Sequence, residues 1–163
     1  MNAASAAVNG GNLHKPYILH AIGKQNNFII ENKPSLIRRV ISEETSKIVA
    51  NALESVVAKG TGRACYIDGY RIGGKTGTAQ IAENGHYISN KFILSFLAIA
   101  PMDDPKIGVY LAIQNPHNAI QYGGTTVGPL VKEIMSESLS FLNVKKNYEG
   151  ISYQPRLWVD KPL

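Results

Sequence analysis

One short stretch of the chain combines residue types that could bind an anion. Within residues 70–80 lie a lysine, Lys75, two threonines, Thr76 and Thr78, and three glycines, of which Gly77 separates the threonines. A lysine supplies positive charge, threonine hydroxyls supply directed hydrogen bonds, and glycines let a ligand approach the backbone closely. We therefore expect an anion-binding site centred on these residues.

Two known patterns fit this stretch, and they predict different anions. Residues 69–76 fit G-x-x-x-x-G-K-[ST], the loop with which nucleotide-binding proteins hold phosphate. Lys75-Thr76-Gly77 fits the K-T-G element that serine β-lactamases share with penicillin-binding proteins. A phosphate loop requires a helix directly after it, whereas the K-T-G interpretation requires an exposed edge strand in an antiparallel sheet. The elements that position Lys75 therefore decide between the two patterns.

The chain after residue 75 has the pattern of strands followed by a helix. Two apolar runs of β type, 92–100 and 107–114, are joined by the proline-containing link 101–105, which is typical of an antiparallel pair. A final helix is predicted to begin near Pro129, a residue suited to the first turn. No helical pattern separates the strands, as a parallel sheet would require. This order favours the K-T-G interpretation and leaves nucleotide binding as the less favoured alternative.

Before residue 70, the pattern predicts one full helix and several shorter elements. Ser42 is a suitable N-cap, and apolar residues recur at helical spacing from there to Lys59. The small residues 3–8 and the glycines after them predict the end of a helix with a left-handed cap. We also expect two short extended pieces, one at 15–19 and one at 27–30, with a turn at 23–26 between them.

Composition indicates one ordinary globular domain. The 163 residues are 44% hydrophobic and 18% charged, and the formal net charge is +5. The basic residues are scattered, so no nucleic-acid-binding patch is visible. The single cysteine, Cys65, excludes an internal disulfide, and the four histidines lack the spacing of a metal site, so we expect neither metal nor cofactor. No apolar run approaches the roughly 20 residues that span a bilayer. The first residues lack the basic region of a signal peptide, so we expect none there.

Residues 69–80 resemble the third active-site motif of class B penicillin-binding proteins. Within that family, the run from residue 60 into the motif resembles the division-associated branch. Further similarity lies at 95–101 and at 122–134. The resemblance covers residues 1–142 and implies an α+β fold. That fold is part of a transpeptidase domain like those of penicillin-binding proteins and serine β-lactamases, with antiparallel strands that carry the K-T-G motif and a C-terminal helix that covers them. Residues 143–163 are predicted to form a C-terminal tail.

For full-length members of the family, the resemblance implies a D,D-transpeptidase that cross-links peptidoglycan through a serine acyl-enzyme. It assigns Lys75, Thr76, Gly77 and Thr78 to substrate binding, with the lysine and both hydroxyls on the substrate carboxylate. It also assigns the Thr78 backbone N–H to the oxyanion hole. The implied partners are stem peptides, β-lactams, the N-terminal part of the same domain and division proteins. Such proteins are anchored in the cytoplasmic membrane with this domain on the outer, periplasmic side.

The chain departs from the family at the residues that carry the reaction. None of its serines has a lysine three residues later or an asparagine two residues later, so neither S-x-x-K nor S-x-N is present. We therefore expect a missing N-terminal portion, no catalytic nucleophile in these residues and no activity of the chain by itself. A β-lactamase or β-lactam sensor, and a non-catalytic remnant, stay as alternatives; the segment 122–124 argues against the first.

Overall fold

The computed structural model describes residues 1–24, 27–117 and 120–146. The chain divides into two compact units, Met1–Lys47 and Ile48–Leu163. Both units combine helices with antiparallel sheets, so the fold class is α+β, as predicted.

The first unit is built from one short helix and two small sheets. Helix α1 spans Asn2–Val8, and Gly10 and Gly11 follow it with φ of 84° and 83°, the left-handed region that favours glycine. The predicted helix end is therefore confirmed. Four strands come next: β1 (Asn12–His14), β2 (Ala21–Lys24), β3 (Asn27–Glu31) and β4 (Leu36–Arg39). Strand β1 pairs with β4 and β2 with β3, both antiparallel.

The predicted extended piece at 15–19 is wrong as a strand. Pairing between β1 and β4 ends where the N–H of Lys15 donates to the carbonyl of Ser35 at 2.8 Å. Pro16 has no N–H with which to continue the ladder, so regular strand pairing stops there. The strands lie on either side of this segment instead.

The predicted turn at 23–26 is wrong in its first half. Gly23 and Lys24 belong to β2 and pair with β3, while residues 25 and 26 lie outside the described residues. The extended piece predicted at 27–30 lies inside β3 and is confirmed.

The second unit contains a three-stranded antiparallel sheet and the helices around it. Helix α2 begins in the first unit and spans Glu43–Ala58, inside the predicted 42–59. The other elements are a short 3₁₀ helix (Arg63–Cys65), β5 (Gly73–Glu83), β6 (His86–Ala100), β7 (Ile107–Gln114), α3 (Gly123–Thr126) and α4 (Gly128–Phe141). Strand β6 lies between β5 and β7, so the predicted antiparallel pair is confirmed, as is the start of the last helix.

A tight turn joins β5 to β6. Asn84 and Gly85 have φ of 50° and 79°, and Glu83 pairs with His86 on either side of them. Positive φ at both central positions is typical of the two-residue turn that suits the twist of a hairpin. Strand β6 therefore begins at His86 rather than at residue 92, because the chain pairs back on β5 directly after the turn.

The core of the second unit lies between the sheet and α4. Along β6, Leu94, Phe96 and Ala98 are fully buried while the residues between them are only partly buried, which is the alternation of a strand with one covered face. Three residues of α4 at a spacing of four are fully buried as well: Val131, Met135 and Leu139. The last helix thus covers one face of the sheet, as the resemblance implies.

The first residues of the predicted tail pack against this unit. The Tyr70 hydroxyl donates to the carbonyl of Val144 at 3.0 Å, and the Val144 side chain contacts the core. Residues 147–163 lie outside the described residues, and the boundary predicted between 142 and 143 stays a prediction.

Candidate substrate-binding site

The four residues predicted to form the site lie side by side on β5, at the edge of the sheet. They pair in register with β6, from Lys75 opposite Leu97 to Thr78 opposite Leu94. In the order β5–β6–β7, the outer side of β5 has no strand partner among the described residues. The motif therefore lies on an edge strand, whose backbone groups can also meet an extended peptide.

The nucleotide-binding alternative is wrong. Gly73 and Gly74 already pair with Ile99 and Ala98, so the backbone before Lys75 is extended strand instead of a loop that surrounds phosphate. No helix follows the lysine, since β5 continues to Glu83. A phosphate loop depends on the N-terminus of the helix directly after it.

Lys75 presents its charge to solvent. Its side chain is exposed, and Nζ donates to the backbone carbonyl of Thr76 at 2.6 Å. No carboxylate of the described residues lies within 4 Å of this ammonium group. A carbonyl does not neutralise the ammonium, so the positive charge stays available to an anion.

Each threonine hydroxyl of the motif has a partner on a different segment. Thr76 Oγ1 lies 3.3 Å from Thr61 Oγ1, within hydrogen-bond reach. Thr78 Oγ1 accepts a hydrogen bond from the N–H of Gly123, also at 3.3 Å. A hydroxyl has one proton to donate and two lone pairs, so Thr78 keeps its O–H for a ligand.

The contact between α3 and β5 requires glycine. A Cβ at Gly123 would overlap the carbonyl oxygens of Gly77 and Ser95, and a Cβ at Gly124 would overlap the carbonyl oxygen of Thr61. Neither position has room for a side chain, so only glycine allows the first turn of α3 to reach the motif strand. This close approach brings the Gly123 N–H to the threonine hydroxyl.

Sequence reasoning missed Thr61 and the two glycines of α3. Their segments, 60–62 and 122–124, were singled out in the sequence, but no contact with the motif strand was predicted for either of them. Thr61 is 15 residues from its partner on β5, and Gly123 is 45 residues from its own. The glycine pair is a signal for close backbone approach, but it does not show which strand is approached.

Two further sequence expectations concern metals and membranes. Within 1–24, 27–117 and 120–146, no three or more His, Cys, Asp or Glu side chains are grouped so that they could hold a metal ion. None of the helices described for this chain is both long enough and apolar enough to cross a bilayer.

An antiparallel sheet with Lys-Thr-Gly-Thr on its edge strand and a helix across one face places the chain in the class that includes penicillin-binding proteins and serine β-lactamases. The family model of the penicillin binding protein transpeptidase domain matches residues 1–136. The chain therefore belongs to the penicillin-binding protein transpeptidase domain family, which confirms the resemblance seen in the sequence.

Two relatives illustrate this membership. Stage V sporulation protein D of Bacillus subtilis is 49% identical over 158 residues, which cover 93% of this chain and 24% of that protein. The peptidoglycan D,D-transpeptidase FtsI homolog of Mesostigma viride is 38% identical over 152 residues, which cover 85% of this chain and 25% of that protein. The chain thus spans about a quarter of the length of these curated relatives.

Solved structures of the same class share the fold. The TP domain of penicillin-binding protein 3 from Burkholderia pseudomallei matches with a TM-score of 0.75 at 33% identity, over 90% of this chain and 42% of that one. Penicillin-binding protein 3 from Mycobacterium tuberculosis, complexed with ampicillin, matches with a TM-score of 0.79 at 27% identity, over 94% of this chain and 36% of that one. The predicted fold, part of a transpeptidase domain, is confirmed.

Proposed function

We propose that this chain supplies the substrate-binding strand of a peptidoglycan D,D-transpeptidase, the activity named in its FtsI and PenA relatives. In this proposal, Lys75, Thr76 and Thr78 bind the carboxylate that ends a D-Ala–D-Ala stem peptide, and Gly77 lets the ligand approach the strand. The observation that carries the proposal is the edge position of β5, where an exposed ammonium group and two threonine hydroxyls lie within four consecutive residues.

A carboxylate suits this set of groups better than a neutral ligand does. The ammonium group and the hydroxyls can donate charge-assisted hydrogen bonds to its two oxygens, each contributing about 1.5–3 kcal/mol. Thr78 can donate because its oxygen already accepts from the Gly123 N–H. The formal net charge of +5 adds a weak general attraction for anions.

Ligand complexes of a relative support the same chemistry. Penicillin-binding protein 3 from Mycobacterium tuberculosis has been solved with ampicillin and with aztreonam. Each of these β-lactams carries an anion beside its reactive ring, a carboxylate in ampicillin and a sulfonate in aztreonam. In our proposal the Lys75 site of this chain receives that anion, and β-lactams therefore compete with the stem peptide.

The reaction needs a serine nucleophile, which we assign to a part of the full-length protein outside these 163 residues, because they contain neither S-x-x-K nor S-x-N. The serine oxygen attacks the carbonyl of the D-Ala–D-Ala bond, D-alanine leaves, and the acyl group passes to an amine of a second stem peptide. Strand β5 holds the carboxylate of the leaving D-alanine during the first step. The scissile carbonyl is thereby kept at a fixed distance from the strand.

The proposal also gives the full-length protein a location and partners. Peptidoglycan is assembled outside the cytoplasmic membrane, so we place this domain on the outer side of that membrane, with the anchor elsewhere in the full-length protein. The N-terminal part of the same domain completes the site. Because relatives of this chain are named FtsI, we include division proteins among the proposed partners of the full-length protein.

The test is acylation of the full-length protein by a fluorescent penicillin. Lys75→Ala should slow acylation at least about tenfold, because the charge that faces the anion is lost. Folding should be nearly unchanged, since Lys75 is exposed. Lys91→Ala removes another exposed lysine from the same sheet and should react at the wild-type rate. Unchanged acylation of a folded Lys75→Ala protein would remove this residue from the site.

A further inference from the structure

Thr61 is held in place by the end of α2. The N–H groups of Gly60 and Gly62 both donate to the carbonyl of Val56, at 3.1 and 3.0 Å. The backbone on each side of Thr61 is therefore tied to the last turn of the helix. Gly62 is buried, and its backbone packs so closely on the Val56 and Phe96 side chains that a Cβ would lie 3.1 Å from each. The position of Thr61 thus follows from the core packing behind it.

Helix α3 holds Thr61 from a second direction. The carbonyl oxygen of Thr61 lies where a Cβ of Gly124 would be, so the two backbones are in direct contact. Between these supports, the Thr61 side chain is exposed, and its Oγ1 lies 3.3 Å from Thr76 Oγ1. A residue outside the K-T-G motif therefore presents a hydroxyl to the middle of that motif.

The direction of this hydrogen bond follows from what Thr76 has to bind. A hydroxyl has one proton and two lone pairs, and a carboxylate only accepts hydrogen bonds. If Thr76 donated its proton to Thr61, it would present only lone pairs to the carboxylate and would repel it. With a carboxylate in the site, Thr61 must therefore be the donor and Thr76 the acceptor.

We propose that Thr61 is a positioning residue for the anion site: its O–H donates to Thr76 Oγ1 and so directs the Thr76 proton at the carboxylate of a stem peptide or β-lactam. The inference rests on the proposed function, because it needs a carboxylate at Thr76. It makes the affinity of the motif strand for its ligand depend on the end of α2, a helix that contributes no residue to the K-T-G motif.

Thr61→Val in the full-length protein keeps the shape of the side chain and removes the hydroxyl. The second-order rate constant for acylation by a fluorescent penicillin should fall about three- to tenfold, the effect of one hydrogen bond. Thr125→Val makes the same change at an exposed threonine of α3 and should leave the rate constant unchanged. Thermal unfolding of the variants should match that of the wild type, since both threonines are exposed.

A double-mutant cycle with Thr76→Val separates positioning from a general structural effect. If Thr61 acts through Thr76, adding Thr61→Val to Thr76→Val should cause less than about a twofold further loss. An equal loss in both backgrounds would overturn the positioning role, because a structural effect does not depend on the Thr76 hydroxyl. A wild-type rate constant for the Thr61→Val single variant would overturn it too.

The same variants distinguish failure of this inference from failure of the proposed function. If Lys75→Ala and Thr76→Val both leave the rate of acylation unchanged, the assignment of the carboxylate site to these residues is wrong. The positioning role of Thr61 is then wrong as well, because it depends on that site. If those two variants are slow and Thr61→Val is not, the carboxylate site stands and only the positioning role is wrong.

Discussion

The guanidinium group of Arg71 forms a bidentate ion pair with the carboxylate of Glu54. Arg71 Nε lies 2.9 Å from Glu54 Oε1, and Nη2 lies 2.7 Å from Oε2. The Glu54 side chain is 3% exposed and that of Arg71 23% exposed. Glu54 belongs to α2, and Arg71 lies two residues before the first residue of β5. The pair therefore joins the helix that leads to Thr61 with the strand that carries the motif.

Removal of the buried carboxylate should destabilise the protein. Glu54→Ala is expected to lower the free energy of unfolding by about 3 kcal/mol, because Arg71 loses this carboxylate while its guanidinium group stays largely removed from water. Urea unfolding followed by circular dichroism measures the change.

The matched control is another glutamate of the same helix. Glu43 pairs with Arg39 at 2.8 Å, but the two side chains are 59% and 52% exposed. Glu43→Ala should therefore cost less than about 1 kcal/mol, since water screens an exposed pair. Equal losses from Glu54→Ala and Glu43→Ala would contradict the role assigned to burial.

The Cys65 thiol should make stability fall at high pH. Cys65 is completely buried, and burial raises the pKa of its thiol from 9.0 to about 11, against a smaller opposing effect of Lys132. Between these values the folded protein keeps the proton and the unfolded chain loses it. The stability that this proton provides is thus fully present below pH 9 and declines by about 2 kcal/mol as the pH approaches 11.

Cys65→Ala isolates this effect from the other groups that titrate in the same range. The variant has no thiol, so its free energy of unfolding should decline less between pH 8 and pH 11 than that of the wild type. Urea unfolding across that range gives both slopes. Parallel declines would show that the thiol does not carry the effect.

Nucleotide should have no effect on this chain. Because Gly73 and Gly74 are paired in an extended strand, the backbone before Lys75 cannot close around a phosphate. Millimolar ATP or GTP with Mg²⁺ should leave the melting temperature unchanged in a thermal unfolding assay. An increase of several degrees in the melting temperature would contradict this prediction and support the phosphate-loop interpretation.

The 163-residue chain by itself should self-associate. Apolar side chains of the second unit are exposed on separate elements, with Ile48 at 56%, Ile93 at 36% and Phe141 at 86%. Each Å² of apolar surface withdrawn from water contributes about 25 cal/mol. The outer edge of β5, which pairs with no strand of the described residues, adds a second surface for association. Sedimentation should show oligomers whose share decreases on co-expression with the N-terminal part of the domain. A stable monomer at high concentration would contradict this expectation.

The same chain should take up no label from a fluorescent penicillin, because it contains no S-x-x-K serine to be acylated. Denaturing gel electrophoresis after incubation with the probe measures covalent labelling. Co-expression with the N-terminal part should restore labelling on that part of the domain. A label attached to the 163-residue chain would overturn the assignment of the nucleophile to another part of the protein.

The sequence by itself determined helix α2, the last two strands of the sheet, the final helix and the place of the motif before them. Helix α2 follows from Ser42, whose Oγ accepts the Thr45 N–H at 3.1 Å, and from apolar residues at helical spacing. The strands at 92–100 and 107–114 follow from their β-type apolar runs and the proline-containing link. Such signals are readable because caps, turns and periodicity act between residues a few positions apart. The strand predicted at 15–19 was wrong, because that run has the apolar residues of a strand but also contains a proline, which cannot donate a hydrogen bond to a neighbouring strand.

Only the tertiary structure decided which groups meet at the site and in the ion pair beside it. Thr61 reaches Thr76, Gly123 reaches Thr78 and Glu54 reaches Arg71 across separations of 15, 45 and 17 residues. These partners are chosen by how α2 and α3 pack on the edge of the sheet, where a difference of one helical turn would present other side chains. Local periodicity specifies which face of a helix is apolar, but it carries no information about which residue of a distant strand that face will contact.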